Sequence, residues 1–424
     1  MTLVRSRILL PITAPPIEDG AVLISGSRIQ TVGRWSELSR NHAGVSVDLG
    51  DTVLLPGLVN AHCHLDYSNF AGFLAPQRHF TDWIQGVLPL KAQWGFSEYA
   101  ASWLNGARQL LASGCTTVLD IEAVPELLPD SWQTTPLHVM SALEMTGVRS
   151  GRPAAAVLAE ALVNVDRLSH PRCRVALAPH APYSTLPDLL ALTAQVARQR
   201  SLPVTIHVGE SADEFEMFVH ARGRMYDWLR PQRDLRDCGH GTPLSHVARQ
   251  GLLGPHTLVA HLNYLGEGDL EWLASSGASV VHCPRSHAYF GHQRFPYDAL
   301  RRAGVRVCLG TDSLLTMRKN GRWLPQLNFQ EELTEAVWTL PDTKPSEVLR
   351  LATVEAAEAL GGFGSAGALR SGVSADLAVA PYGGSIERVH EALVTREARI
   401  EAVMIAGRWV HGPRAEAVPE GSAS

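Results

Sequence analysis

Eight short apolar runs, parted by helical patterns along the middle of the chain, restrict its fold more than any other feature. They end near His62, Asp120, Leu143, His180, His207, His261, Cys283 and Asp312. Helical periodicity at residues 99–113, 186–200, 270–276 and 296–303 fills several of the intervals. Alternation of strand and helix argues for parallel strands with crossover helices. Eight such units fit a (β/α)8 TIM barrel, for which about 250 residues is typical before insertions. A doubly wound open sheet is the competing α/β architecture. It is disfavoured because no G-x-G-x-x-G follows the first strand.

The two ends have a different texture. Short β-rich runs at 21–24, 28–32, 375–380 and 402–410, punctuated by glycine, predict a small β-sandwich domain formed by both termini. Residues 1–55 and 365–424 are assigned to that composite unit, and 56–364 to the barrel. The tail, 415–424, is rich in Ala, Glu, Ser and Pro and is expected to be disordered.

Composition narrows the class further. With 45% hydrophobic residues and a net charge of −5, the chain has an ordinary globular balance. No run of basic residues interleaves with aromatics as a nucleic-acid surface would require. No apolar segment approaches the ~20 residues of a membrane helix. Arg5 and Arg7 precede Ile8-Leu9-Leu10 as in a secretory leader, but Pro11, Pro15 and Pro16 break the stretch and no small-residue cleavage site follows. Six scattered cysteines without a CxxC suggest reduced core thiols and a cytoplasmic protein.

The chemistry gathers at the strand ends. His62-Cys63-His64 closes the apolar run from Val53 to Ala61, read here as one strand. Residues i and i+2 of an extended chain point to one side, so both rings can grip one ion. A lone H-x-H is more often a pair of structural histidines. Here it has company: His207 with Glu210 three residues on, His261, and Asp312 all stand at further strand ends. In a parallel barrel those ends share one face. Three imidazoles and one carboxylate suit a divalent metal, most simply Zn2+, with Fe2+ possible. Glu210 and His261 beside it suggest an open metal position holding a water whose pKa falls to about 7. Asp312 is then placed to accept that water's proton and His261 to hydrogen-bond the attacking oxygen. Glu210 is placed to carry a proton to the substrate and its leaving group.

The set Pro56-Gly57-Leu58-Val59-Asn60-Ala61-His62-Cys63-His64, His207-Val208-Gly209-Glu210, Ala260-His261 and Leu309-Gly310-Thr311-Asp312 resembles the signature of the amidohydrolase superfamily. More narrowly, it resembles the cytosine/adenosine/guanine-type aminohydrolases. The likeness spans nearly the whole chain, including Gly372-Val373-Ser374-Ala375-Asp376-Leu377. It is specific for superfamily and mechanism, and poorly specific for substrate. Two-metal members usually bridge their ions with a carboxylated lysine on strand four. Lys91, Lys319 and Lys344 are the only lysines, and none lies between Cys173 and His180. The resemblance therefore implies one metal held by His62, His64, His207 and Asp312. It also implies a hydrolytic deaminase that attacks an sp2 carbon bearing an exocyclic amine, on a small-molecule substrate, with a homodimer as the family expectation. The H-x-E with P-C-x-x-C pattern of the other zinc deaminases is absent.

For substrate, His64-Leu65-Asp66-Tyr67-Ser68 and Phe80-Thr81-Asp82-Trp83-Ile84 resemble elements of aminodeoxyfutalosine deaminases, which act on an adenine nucleoside with a 5′ aromatic carboxylate. Methylthioadenosine and adenosylhomocysteine deaminases come second. The resemblance gives Asp66 a ribose hydroxyl, His180 a substrate contact in its Pro-His-Ala-Pro-Tyr setting, and Trp83 either a stacking role or a packing role on the rim. Arg285 is either the partner of a substrate carboxylate, which a guanidinium fork matches, or a plain surface arginine. Glu144 and Arg149 are weaker candidates of that kind. His287 stands where the group commonly has Asn in Cys-Pro-x-Ser-Asn. Segment 217–246 forms either a lid or a surface excursion. The enzymatic alternatives are another C–N bond, in guanine, a formimino compound or a chlorotriazine. The non-enzymatic alternative is a metal-stabilised binding module.

Overall fold

The computed structural model describes residues 1–148, 151–319 and 321–415. Arg149 and most of the 415–424 tail lie outside the described residues. All eight expected barrel strands form: Leu58–Cys63, Cys115–Glu122, His138–Met145, Cys173–Pro179, Val204–Val208, Thr257–His261, Ser279–His282 and Val307–Leu309. They pair parallel, each with its neighbour in sequence. The cylinder closes where Cys63 bridges Asp312, with the Thr311 and Asp312 amides donating to the His62 carbonyl at 2.9 and 3.1 Å. Gly310 permits that closure, because a Cβ there would lie 2.7 Å from the Cβ of His62.

Strand alternation sorts the apolar side chains into two sets. Leu119 and Ile121, Met140 and Ala142, and Ala176 and Ala178 pack together as the barrel filling, with Ala357, Leu360 and Phe363. The alternate residues Val118, Val139, Leu143 and Leu177 join the larger core beneath the helices, with Trp103, Leu110 and Leu190. Both faces of the sheet are thus buried, as a parallel sheet requires. The helices cover it at Phe96–Ala112, Pro187–Arg200, Asp269–Ser276 and Tyr297–Arg302, within three residues of the periodic stretches in the sequence.

The termini build a second, mixed sheet of eight strands. Thr2–Leu9, Ile17–Ser25, Arg28–Arg34, Val45–Asp48 and Thr52–Pro56 come from the front of the chain, and Leu377–Pro381, Ala402–Ile405 and Arg408–His411 from the back. The halves meet where Thr52–Pro56 runs antiparallel to Leu377–Pro381. They share one filling that includes Val4, Val22, Ile29, Leu54, Leu377 and Met404.

One expectation is corrected. The run from Val53 to Ala61 is two strands rather than one. Thr52–Pro56 belongs to the terminal sheet and Leu58–Cys63 to the barrel. Gly57 makes the crossing: a Cβ there would sit 2.2 Å from the Thr116 side chain. Its amide donates to the Asp376 carbonyl at 3.0 Å, while Asp376 Oδ1 accepts from the Ala406 amide at 2.7 Å. The Ser374-Ala375-Asp376 element thus stitches the sheet to the barrel. Among the described residues no helix is long and apolar enough to cross a membrane.

Candidate active site

The first, fifth, sixth and eighth barrel strands carry His62 and His64, His207, His261, and Asp312 to one point. The His62 ring centroid lies 5.2, 4.8 and 5.3 Å from those of His64, His207 and His261. Asp312 Oδ1 is 3.6 Å from His64 Nε2 and 3.9 Å from His62 Nε2. Two triads, His62–His64–His207 and His62–His261–Asp312, have ligand atoms close enough to share an ion. All these side chains are buried, and burial holds the four imidazoles below their usual pKa, in the neutral form a metal requires.

Donor chemistry tests whether a cation fits. Nδ1–H of His207 donates to the His180 carbonyl at 2.7 Å, which turns the Nε2 lone pair inward, 3.3 Å from His64 Nε2. Neither nitrogen of His62 has a hydrogen-bond partner, nor has His261 Nε2. Asp312 Oδ2 is held by the Ser286 hydroxyl at 2.7 Å and the Thr316 hydroxyl at 3.2 Å, leaving Oδ1 toward the rings. Buried nitrogens without partners are costly, and a divalent cation satisfies them together. The residues fit the metal. His261, Leu262 and Asp312 all adopt left-handed backbone, at φ 69°, 48° and 57°. Such strain costs on the order of 1–3 kcal/mol per residue and gathers at functional sites.

Glu210 lies beside this cluster, its Oε1 3.7 Å from His261 Nε2. Burial, reinforced by Asp312 and Glu214, pushes its carboxyl well above the usual range, the direction that favours a proton donor. Its loop is pinned on both sides: the Glu210 amide donates to Glu214 Oε2 at 2.9 Å, and Asn263 Nδ2 donates to the Glu210 carbonyl at 2.9 Å. The imidazole of His287 faces Asn263 Oδ1 at 3.0 Å. His287 therefore stands behind this loop.

A deep cavity opens above the cluster. His64, His207, Glu210 and Asp312 form its floor, and aromatic and aliphatic side chains form most of its walls. His180 and Trp83 line it. His180 Nδ1 pairs with the Ser184 hydroxyl at 2.7 Å, and Trp83 Nε1 donates to the Leu315 carbonyl at 3.3 Å. Trp228, Leu229 and Gln232 make one wall, so segment 217–246 covers the site rather than wandering over the surface. Buried Arg233 fixes that segment by donating to the Pro182 and Tyr183 carbonyls at 2.9 and 3.0 Å and pairing with Asp237.

Two candidate substrate residues are not among those lining the cavity. Asp66 does not line the cavity; it is buried beneath it, with neither carboxylate oxygen hydrogen-bonded. Burial and the neighbouring Asp120 push its carboxyl well up, and a short 3-10 turn, Leu65–Phe70, rotates it away from the mouth. Arg285 does not face the cavity either. Its guanidinium pairs with Glu331 at 3.2 Å and Glu332 at 3.6 Å and donates to the Gln326 carbonyl at 3.0 Å. The first turn of helix Pro284–Phe290 directs it outward.

The cavity also holds groups that sequence reasoning ranked low or passed over, chiefly Glu144, Lys91, Tyr67 and Ser184. A signal for Lys91 was present. It lies eight residues after Trp83 on the same helix, at spacings that share a face.

Residues 53–410 match the amidohydrolase family. The 5-methylthioadenosine/S-adenosylhomocysteine deaminase of Syntrophobacter fumaroxidans is 30% identical over 375 residues, covering 86% of this chain and 80% of that protein. The aminodeoxyfutalosine deaminase of Deinococcus radiodurans is 28% identical over 355 residues, covering 81% and 82%. Among solved structures, the Helicobacter pylori aminofutalosine deaminase in complex with methylthio-coformycin superposes with a TM-score of 0.86 at 21% identity, covering 97% of this chain and 100% of that one. A zinc-bound adenosine deaminase from Xanthomonas campestris gives 0.85 at 23% identity, covering 100% and 95%.

Proposed function

The chain belongs to the amidohydrolase family, and we propose that it is a metal-dependent deaminase of an aminated purine nucleoside, an adenosine derivative. One observation carries this reading. A buried Glu210, its carboxyl pushed well above the usual range, stands 3.7 Å from His261, beside a histidine–aspartate cluster and at the floor of an aromatic-walled cavity. Relatives that deaminate adenine nucleosides of two kinds match over most of their length.

His62, His64, His207 and Asp312 would hold one divalent metal. When bound, that ion supplies Lewis acidity toward water. The remaining work falls to the chain. Glu210 donates its proton to a ring nitrogen, which makes the adjacent carbon electrophilic. His261 orients the attacking water, and Asp312 takes its proton. Asp312 then returns the proton to the departing amine; as the carbon–nitrogen bond breaks, the remaining hydroxyl proton passes to Glu210 and restores it, so that water and the amine become a carbonyl and ammonia. His180 and Trp83 position the base. Donor set and neighbours favour zinc over iron. Six buried cysteines, all unpaired, support a cytoplasmic setting. A homodimer is the proposed assembly, read out by light scattering.

The test is ammonia release from a panel of adenosine derivatives by the metal-loaded protein. Turnover of at least one adenine nucleoside is expected. Inert purines alongside turnover of a linear imine or a triazine would overturn the reading.

A further inference from the structure

Helix Pro284–Phe290 follows the seventh barrel strand and brings two consecutive side chains to the two groups that handle protons. The Ser286 hydroxyl donates to Asp312 Oδ2 at 2.7 Å. His287 Nδ1 meets Asn263 Oδ1 at 3.0 Å, and Asn263 Nδ2 donates to the Glu210 carbonyl at 2.9 Å. Asn263 and His287 are both buried. The chain just past the helix adds a further hold, since Gln293 Nε2 donates to the Asn263 carbonyl at 3.0 Å.

The direction of each bond is fixed by chemistry. A backbone carbonyl only accepts, so the Asn263 amide presents Nδ2 to Glu210 and Oδ1 to His287. Oδ1 in turn only accepts, so the imidazole presents Nδ1–H. Burial lowers the His287 pKa to about 4, which leaves the ring neutral with that one proton. The link lies where the backbone needs holding. His261 and Leu262, immediately before Asn263, are left-handed. The Leu262 and Tyr264 amides donate to the Val208 and Gly209 carbonyls at 3.0 and 3.1 Å. Segment 261–264 is thus strapped to 208–210, and His287 holds the strap from behind. Misplacing a reacting group by about 1 Å can cost roughly 100-fold in rate, so what holds the Glu210 main chain bears on catalysis.

We propose that His287 is a positioning residue that acts through Asn263 on Glu210. The helical turn carrying Ser286 and His287 thereby sets the proton donor, Glu210, and the proton acceptor, Asp312, at a fixed spacing. His287 itself touches neither substrate nor metal ligand in this role; its imidazole supplies one N–H, and that N–H orients the amide that grips the loop. This inference rests on Glu210 being the proton donor, as proposed above, and names what holds that donor in place.

The experiment compares His287→Asn with His287→Asp in the metal-loaded full chain, on whichever substrate of the panel it turns over. The two replacements have the same size and differ in hydrogen-bond polarity. His287→Asn keeps an N–H on its δ atom and should hold kcat within about threefold of wild type. His287→Asp turns an acceptor toward Asn263 Oδ1 and should lose about tenfold or more in kcat, with KM and metal content little changed. In a Glu210→Gln background that penalty should fall below about threefold, because the two residues act as a unit. A merely structural fault would cost the same in both backgrounds. Asn263→Ala cuts the link without burying a charge and should show the same kcat loss, which keeps the test open if His287→Asp does not fold. Equal kcat for His287→Asn and His287→Asp overturns the proposal. So does a wild-type kcat in Asn263→Ala, or an Asp penalty undiminished by Glu210→Gln. Full turnover by Glu210→Gln alone would sink the parent reading and this one with it. A crippled Glu210→Gln beside matching Asn and Asp variants sinks this one alone.

Discussion

Glu210 is the residue on which the chemistry turns. It belongs to neither of the two triads, so Glu210→Gln should retain the metal while losing turnover by about 10²–10⁴-fold. Metal content and kcat measured on the same preparation check this. Equal loss of both would place Glu210 in the ligand set. Its neighbour Glu214 gives a pH signature. Burial raises the Glu214 carboxyl to about 8, whereas in the unfolded chain it titrates near its ordinary value. Between those values the native state holds a proton that the unfolded state releases, so this group's contribution to stability falls as pH rises toward 8. Glu214→Gln should remove that slope, gaining on the order of a few kcal/mol relative to wild type between pH 5 and pH 8. Denaturant melts at both pH values measure it, and identical slopes would contradict the assignment. Arg285, read from sequence as either a substrate-carboxylate partner or a plain surface arginine, is a strut between Glu331 and Glu332. Arg285→Ala should lower Tm, because it strands the buried Glu332 carboxyl, and should not alter discrimination between substrates with and without a carboxylate.

At the scale of elements, motif-bearing strand ends were legible because ligand chemistry leaves few residue types to choose from. His62, His64, His207, His261 and Asp312 all converge as expected. Less legible was the direction in which loop residues point once they leave a strand. Asp66 sits two residues past a ligand, yet the 3-10 turn carries it beneath the cavity. Periodicity also failed at Gly57. An unbroken apolar run reads as one strand, whereas close approach to Thr116 divides it between two sheets. Gly57→Ala should therefore destabilise the protein by roughly 1–3 kcal/mol through overpacking. An unfolding midpoint equal to wild type would show that Thr116 yields freely.

For the whole molecule, the barrel gathers at one rim what the chain spreads over some 250 positions, from His62 to Asp312, and the terminal sheet braces the strand that begins the site. At the centre of that rim, a single cation held by nitrogen and oxygen is what the proposed chemistry requires. Cys63 lies between two of the ligands in sequence, so sulfur is the donor to exclude by measurement. X-ray absorption at the zinc edge of the metal-loaded protein decides between them. One zinc per chain, with imidazole scattering at about 2.0–2.1 Å and no sulfur, is the predicted spectrum. A zinc–sulfur shell at about 2.3 Å, or a second metal in the first few ångströms, would contradict the site.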